Sequence, residues 1–301
     1  MNNWHRLQQK YAPYFFVAPF LVLFAFFQAW PIAKSLILAF YSTTGPENAI
    51  FVGPKNFTFL LRDSDFWVAV KNTVTFALWS LLLQLPIALS LAVLLSQPWI
   101  KGRNWLRLAF FSPQLVGSVF VGVLFSALLV PKDGMIINVL NAISPASFPL
   151  DTKFLGDQRL VMPTLVLTGV WLYSGYHMIY YLAALQAVDK DLYEAAQMDG
   201  AAGWQQFRAV TLPGIKPVVI FTLLTSTIGS FQLFELPYIL LNQSSGPNNS
   251  GLTVVMYLYR VGFVTGDLGY ASTVGWTLAF MVLLVSLTQL RLTGAMKGSE
   301  A

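Results

Sequence analysis

The chain has 301 residues, of which 56% are hydrophobic and only 10% charged, with a net charge of +5 and no cysteine. Soluble domains carry about 25% charged residues, so a water-covered globule is excluded, as are disulfides and thiolate metal sites. The modest positive charge has no basic patch interleaved with aromatics, which argues against a nucleic-acid surface.

The apolar residues come in blocks. Uncharged stretches run over 11–33, 73–95, 108–130, 160–185, 218–234 and 268–290, and five of the six have at least 23 residues. About 20 suffice to cross a bilayer as a helix. A helix also satisfies its own backbone hydrogen bonds inside lipid. The expected fold is therefore an all-α polytopic membrane protein with six transmembrane helices, treated as one domain over 1–301. The first stretch is too long for a secretory h-region and is read as a retained span.

Basic residues set the expected orientation. Arg6 and Lys10 precede the first span, Lys101, Arg103 and Arg107 lie between the second and third, and Arg291 and Lys297 follow the last. All fall on one side if the N-terminus is cytoplasmic. The opposite side carries mixed charge, with Glu47, Lys55, Arg62, Asp63 and Asp65. Both termini are expected in the cytoplasm.

In chain order, residues 42–67 form an external loop ending in a short helix, and the third span carries Ser112, Pro113, Gln114, Gly117, Ser118 and Gly122 along a polar, small-residue flank. Residues 134–150 are read as interfacial. The fourth span places Tyr173, Tyr176, His177 and Tyr180 at i, i+3, i+4, i+7 on one face. Such a stripe is as readily packing as a binding surface. The fifth span carries Thr222, Thr225, Ser226 and Gly229 at the same spacing, followed by Phe231, Gln232 and Glu235. A carboxylate at membrane depth costs about 2 kcal/mol or more unless it meets water or a partner. Glu235, with Gln232 and Phe231, is accordingly a candidate for a substrate pathway, or else a group solvated at the outer interface.

Between the fourth and fifth spans lies the longest polar interruption of the second half, 189–217. It reads as two short helices joined at a glycine. Asp191, with Glu194 three residues on, gives a capping-box-like start. Leu192, Ala195, Ala196 and Asp199 share one narrow face. Gly200 stands where a helix ends at positive φ. The second helix is expected over about 202–209, carrying Trp204, Phe207 and Arg208, and Leu212-Pro213 is expected to stop it.

Glu194-Ala195-Ala196, Gly200 and Val210-Thr211-Leu212-Pro213 follow the pattern EAA-x3-G-x9-I-x-L-P, with valine in the isoleucine place. Asp199, Ala201, Phe207 and Pro217 complete its longer form. This resembles the cytoplasmic loop of permease subunits in binding-protein-dependent ABC importers. The external segments and the run FQLFELPYIL resemble the sugar type of that family. The resemblance implies a type I importer permease whose 189–217 loop forms a coupling helix docking on an ATPase. The residues it assigns to that coupling are Glu194, Ala195, Ala196, Asp199, Gly200, Ala201, Phe207, Arg208, Leu212 and Pro213. It further implies a second permease, a homologue or a second copy, two ATPase subunits, an external or periplasmic solute-binding protein, and alternating access in a bacterial or archaeal inner membrane surrounded by lipid. No cofactor is expected in this chain. It has no G-x-x-x-x-G-K-[ST] loop, so ATP and magnesium would sit on the partner ATPase. The substrate implied is a small oligosaccharide or glycoside, with Tyr173, Tyr176, His177, Tyr180, Phe231, Gln232 and Glu235 as pathway candidates. The alternatives are a secondary transporter, which would show related halves and intramembrane charge pairs, and an intramembrane enzyme, for which no catalytic cluster is visible.

Overall fold

The structure, a computed structural model, describes residues 3–43, 45, 48–132, 134–143, 149 and 151–294. Glu47 and Lys297, used in the charge argument, lie outside the described residues. The chain divides into two compact units, residues 1–63 with 258–277 and residues 64–257 with 278–301.

In the first unit, α1 (Asn3–Phe24) continues through a π turn over Ala25–Ala29 into α2 (Trp30–Leu38). None of the most apolar window within Tyr11–Leu38 is buried, so its aromatic surface demands an apolar surrounding. The chain then forms a two-stranded antiparallel ladder that composition does not reveal, β1 (Tyr41–Thr43) with β2 (Ala49–Phe51), and α3 (Lys55–Leu60). Asn56 holds this turn by donating from Nδ2 to Ala39 O at 2.9 Å and Tyr41 O at 2.8 Å. Asp267 caps the start of α15 (Leu268–Leu292), accepting from Tyr270 N at 2.9 Å and from the Thr43 hydroxyl at 3.2 Å.

The second unit is built on α4 (Ser64–Ser96) and α8 (Gln158–Ala187), its most extensive helix pair. The 33-residue α4 starts nine residues before the uncharged stretch at 73, so its first turns carry charge. Ala88 and Ala92 of α4 pack on Met178, Tyr181 and Leu182 of α8. Phe76 joins Val161, Leu165 and Leu172 in a second cluster. The small residues of α4 let the two backbones approach closely. The third apolar stretch is not one straight helix. It splits into α5 (Arg103–Val116) and α6 (Ser118–Leu128), bent 98° apart. The joint is Gly117, at φ +88°, a conformation that a side chain resists. After α7 (Met135–Ile143) and α8 come the loop helices and α12 (Lys216–Phe231), α13 (Glu235–Leu240) and α14 (Val254–Tyr259). Gly122 of α6 sits against Ile239 of α13; a Cβ there would lie 2.9 Å from Ile239 Cγ2.

Among the described residues three helices are long and apolar enough to cross a membrane, and the two bent pairs raise the number to five. The 30-residue α8 is long enough as well. Its tyrosines, glycines and histidine lower its hydropathy, and these are the residues that face inward.

Candidate functional site

The second unit encloses a cavity of about 290 Å³ between α4, α5, α8 and α12. That is close to the lower bound of about 300 Å³ for small-molecule sites. Phe76 and Gln84 come from α4, Gln114 from α5, and Tyr173, Tyr176 and His177 from α8. Thr225, Ser226, Gly229 and Ser230 of α12 and Leu233 close it. The helical spacing read in the fourth and fifth apolar stretches turns these two polar stripes toward each other.

His177 is the hub. It is buried, and Ser226 Oγ lies 2.7 Å from its Nε2. Its Nδ1 is 2.9 Å from Tyr173 O and 3.0 Å from Gln84 Nε2. If Nδ1 carries the proton, it donates to the Tyr173 carbonyl and Nε2 accepts from Ser226. In the other tautomer, Nδ1 accepts from Gln84 and Nε2–H donates to Ser226. Either way both nitrogens are paired and α8 is pinned to α12, with α4 joined through Gln84 in the second case.

The remaining candidates distribute unevenly. Tyr180 does not line the cavity; its hydroxyl lies 2.9 Å from that of Tyr176, and its ring packs on Phe221. Phe231 is buried beside the end of α12. Gln232 and Glu235 are exposed and lie off the cavity. Glu235 begins α13 and accepts a hydrogen bond from the Ser118 hydroxyl at the start of α6. That bond ties the break at Gly117 to the break between α12 and α13. The pathway expectation did not include Gln84, Gln114, Ser226 or Ser230. Gln84 is an isolated amide in an apolar stretch, and that was its only signal in the sequence.

The 189–217 segment forms α9 (Lys190–Met198), α10 (Gly203–Gln206), a π turn over Phe207–Thr211 and α11 (Leu212–Gly214). Its cap is Asp189, which accepts from Asp191 N at 3.0 Å, rather than Asp191. The helical run extends through Pro213 and ends at Gly214, past the expected end near 209. The break falls at Ile215, where the axis turns 67° into α12. Gly200 has φ +79°. No residue of α9 is buried, and Trp204, stacked on Phe207, is 72% exposed. Tyr193 OH meets Thr211 Oγ1 at 2.9 Å and closes the loop on itself. Glu194, Ala195, Asp199, Gly200, Arg208, Leu212 and Pro213 are exposed; Ala196, Ala201 and Phe207 are partly so.

Residues 84–295 match the family described as binding-protein-dependent transport system inner membrane component. The chain is 35% identical over 302 residues to the arabinooligosaccharides transport system permease protein of Bacillus subtilis (strain 168), covering 99% of this chain and 94% of that one. It is 36% identical over 275 residues to the lactose transport system permease protein of Rhizobium radiobacter, covering 91% of each. Its fold is similar to that of a chain in the crystal structure of a bacterial alginate ABC transporter in complex with alginate pentasaccharide-bound periplasmic protein, with a TM-score of 0.83, 24% identity and 98% of each chain covered. The chain therefore belongs to the inner membrane components of binding-protein-dependent transport systems. It is a multi-pass membrane permease, a transport component rather than an enzyme.

Proposed function

We propose that this permease passes a small oligosaccharide or glycoside through the α4–α5–α8–α12 cavity, by alternating access driven by a separate ATPase. The observation that carries this reading is the cavity itself, because rings stand beside amides and hydroxyls there. Tyrosine and phenylalanine faces suit the C–H faces of a sugar, and Gln84, Gln114, Ser226 and Ser230 suit its hydroxyls. The names of the arabinooligosaccharide and lactose relatives support the same class.

The exposed, self-closed loop 189–217 is the surface on which the ATPase docks. It matches the family's EAA pattern, and its small residues Ala195, Ala196 and Gly200 leave room for a partner. ATP and magnesium belong to that partner. A second permease, two ATPases and an external binding protein complete the assembly. Coupling requires the two access states to differ in affinity for these partners, not contact alone. In proteoliposomes holding the whole assembly, uptake of labelled arabinobiose or lactose is expected to require internal ATP and to survive collapse of ion gradients. Uptake that follows an ion gradient without ATP would instead make the chain a secondary transporter.

Both termini and the 189–217 loop lie in the cytoplasm in this reading. With no native cysteine, a single introduced one reports its side cleanly. Met198→Cys and Lys101→Cys are expected to resist an impermeant external thiol reagent in intact cells, and Ser244→Cys and Lys153→Cys to react. The opposite labelling pattern reverses the orientation.

A further inference from the structure

The chain has 18 Lys and Arg and 13 Asp and Glu residues, yet among the described residues none of them lines the cavity. Its polar wall is made of amides, hydroxyls, phenols and the His177 imidazole. The imidazole already has both nitrogens engaged.

The two amides differ in commitment. Gln84 Nε2 lies 3.0 Å from His177 Nδ1 and donates to it in one of the two tautomers. Gln114 Oε1 is buried and has no partner among the described residues. An amide oxygen held away from water and unpaired is costly, and it gains a bond when a donor enters. A rotation about the last side-chain torsion presents either end of the amide to the cavity, so it can accept from a hydroxyl or donate to one.

We propose that this cavity selects an uncharged saccharide over an acidic one, and that Gln114 is the specificity-determining residue that reads a hydroxyl; the proposal rests on the sugar reading above. A neutral sugar exchanges its water for amide and hydroxyl partners one for one. A uronic acid must shed the water around its carboxylate and meets no cation in the lining in return. Discrimination then lies in the permease itself, downstream of any choice made by the binding protein.

The test uses the permease copurified with its partner subunits, in lipid nanodiscs and without the binding protein. Binding of arabinobiose, lactose and digalacturonate is measured by saturation-transfer NMR. At least one neutral disaccharide is expected to bind, with digalacturonate at least tenfold weaker. Gln114→Ala is expected to weaken the neutral sugar about tenfold, the loss of one well-placed hydrogen bond. Gln114→Lys is expected to bring digalacturonate level with the neutral sugar. Wild-type binding of digalacturonate within threefold of the neutral sugars overturns the proposal, and this comparison needs no variant to fold. So does neutral binding that both Gln114 variants leave unchanged. Binding of no sugar at all overturns the sugar reading, and the proposal with it.

Discussion

Gly200→Val is expected to leave the protein in the membrane and abolish transport. Gly200 has φ +79°, and no atom lies within 4 Å of where its Cβ would be. The penalty is therefore conformational and not a clash. A left-handed backbone costs an ordinary L-residue about 1–2 kcal/mol, more for a β-branched one, and the turn between α9 and α10 must open to relieve it. Gly200→Asn, which tolerates this region, is expected to keep most of the activity. Ala196→Arg probes the same surface by bulk. No residue of α9 is fully buried and Ala196 is partly exposed, so a long side chain there projects mainly toward what docks from outside. Uptake should fall to background, and the ATPase should copurify poorly with both Gly200→Val and Ala196→Arg. Normal uptake by both would remove 189–217 as the docking surface.

That loop also shows what sequence makes legible. The glycine at positive φ, the exposed small-residue face and the two-helix division follow from local chemistry, and local chemistry is visible one residue at a time. The start moved by two residues because Asp189 and Asp191 are equally good caps, and only the chain's path decides between them. Pro213 does not interrupt the run at once, because the π turn over Phe207–Thr211 just before it already departs from the regular hydrogen-bond ladder its missing N–H would join. The third apolar stretch misled more. Its hydropathy is continuous, while its backbone turns 98° at a single glycine. Composition records where lipid or protein surrounds a residue, not the direction of the axis. The same limit applies to the cavity. The stripes on α8 and α12 were readable from spacing. Gln84 and Gln114 join them only because four helices converge, and no periodicity within one helix records that. Glu235 was open to two readings, a pathway group or one solvated at the outer interface; the break before α13 leaves it exposed and bonded to Ser118.

Gly175→Ala is expected to have the largest effect on stability, although it adds a single methyl group. A Cβ on Gly175 would lie 1.8 Å from Phe110 O, 2.4 Å from Phe110 C and 2.9 Å from Phe111 N. All three are backbone atoms of α5, so no rotamer change relieves the overlap, and α5 must move as a body. Overpacking of this kind costs about 3 kcal/mol. The displacement has a direction that matters for function, since α5 carries Gln114 one turn beyond Phe110 and α8 carries Tyr176 and His177 beside Gly175. Pushing the helices apart widens the cavity and withdraws the Gln114 amide from it. Gly229→Ala provides the control. Gly229 lines the same cavity in α12 and has nothing within 4 Å of its Cβ position, so it adds the same methyl without a clash, and alanine's helix propensity favours it by about 1 kcal/mol. In detergent, the unfolding midpoint should drop for Gly175→Ala and hold or rise for Gly229→Ala. Uptake should be lost in the first and at most reduced in the second. A Gly175→Ala protein that unfolds and transports like the wild type would mean that α5 and α8 do not approach to backbone contact, and the cavity wall at Gln114 would have to be redrawn.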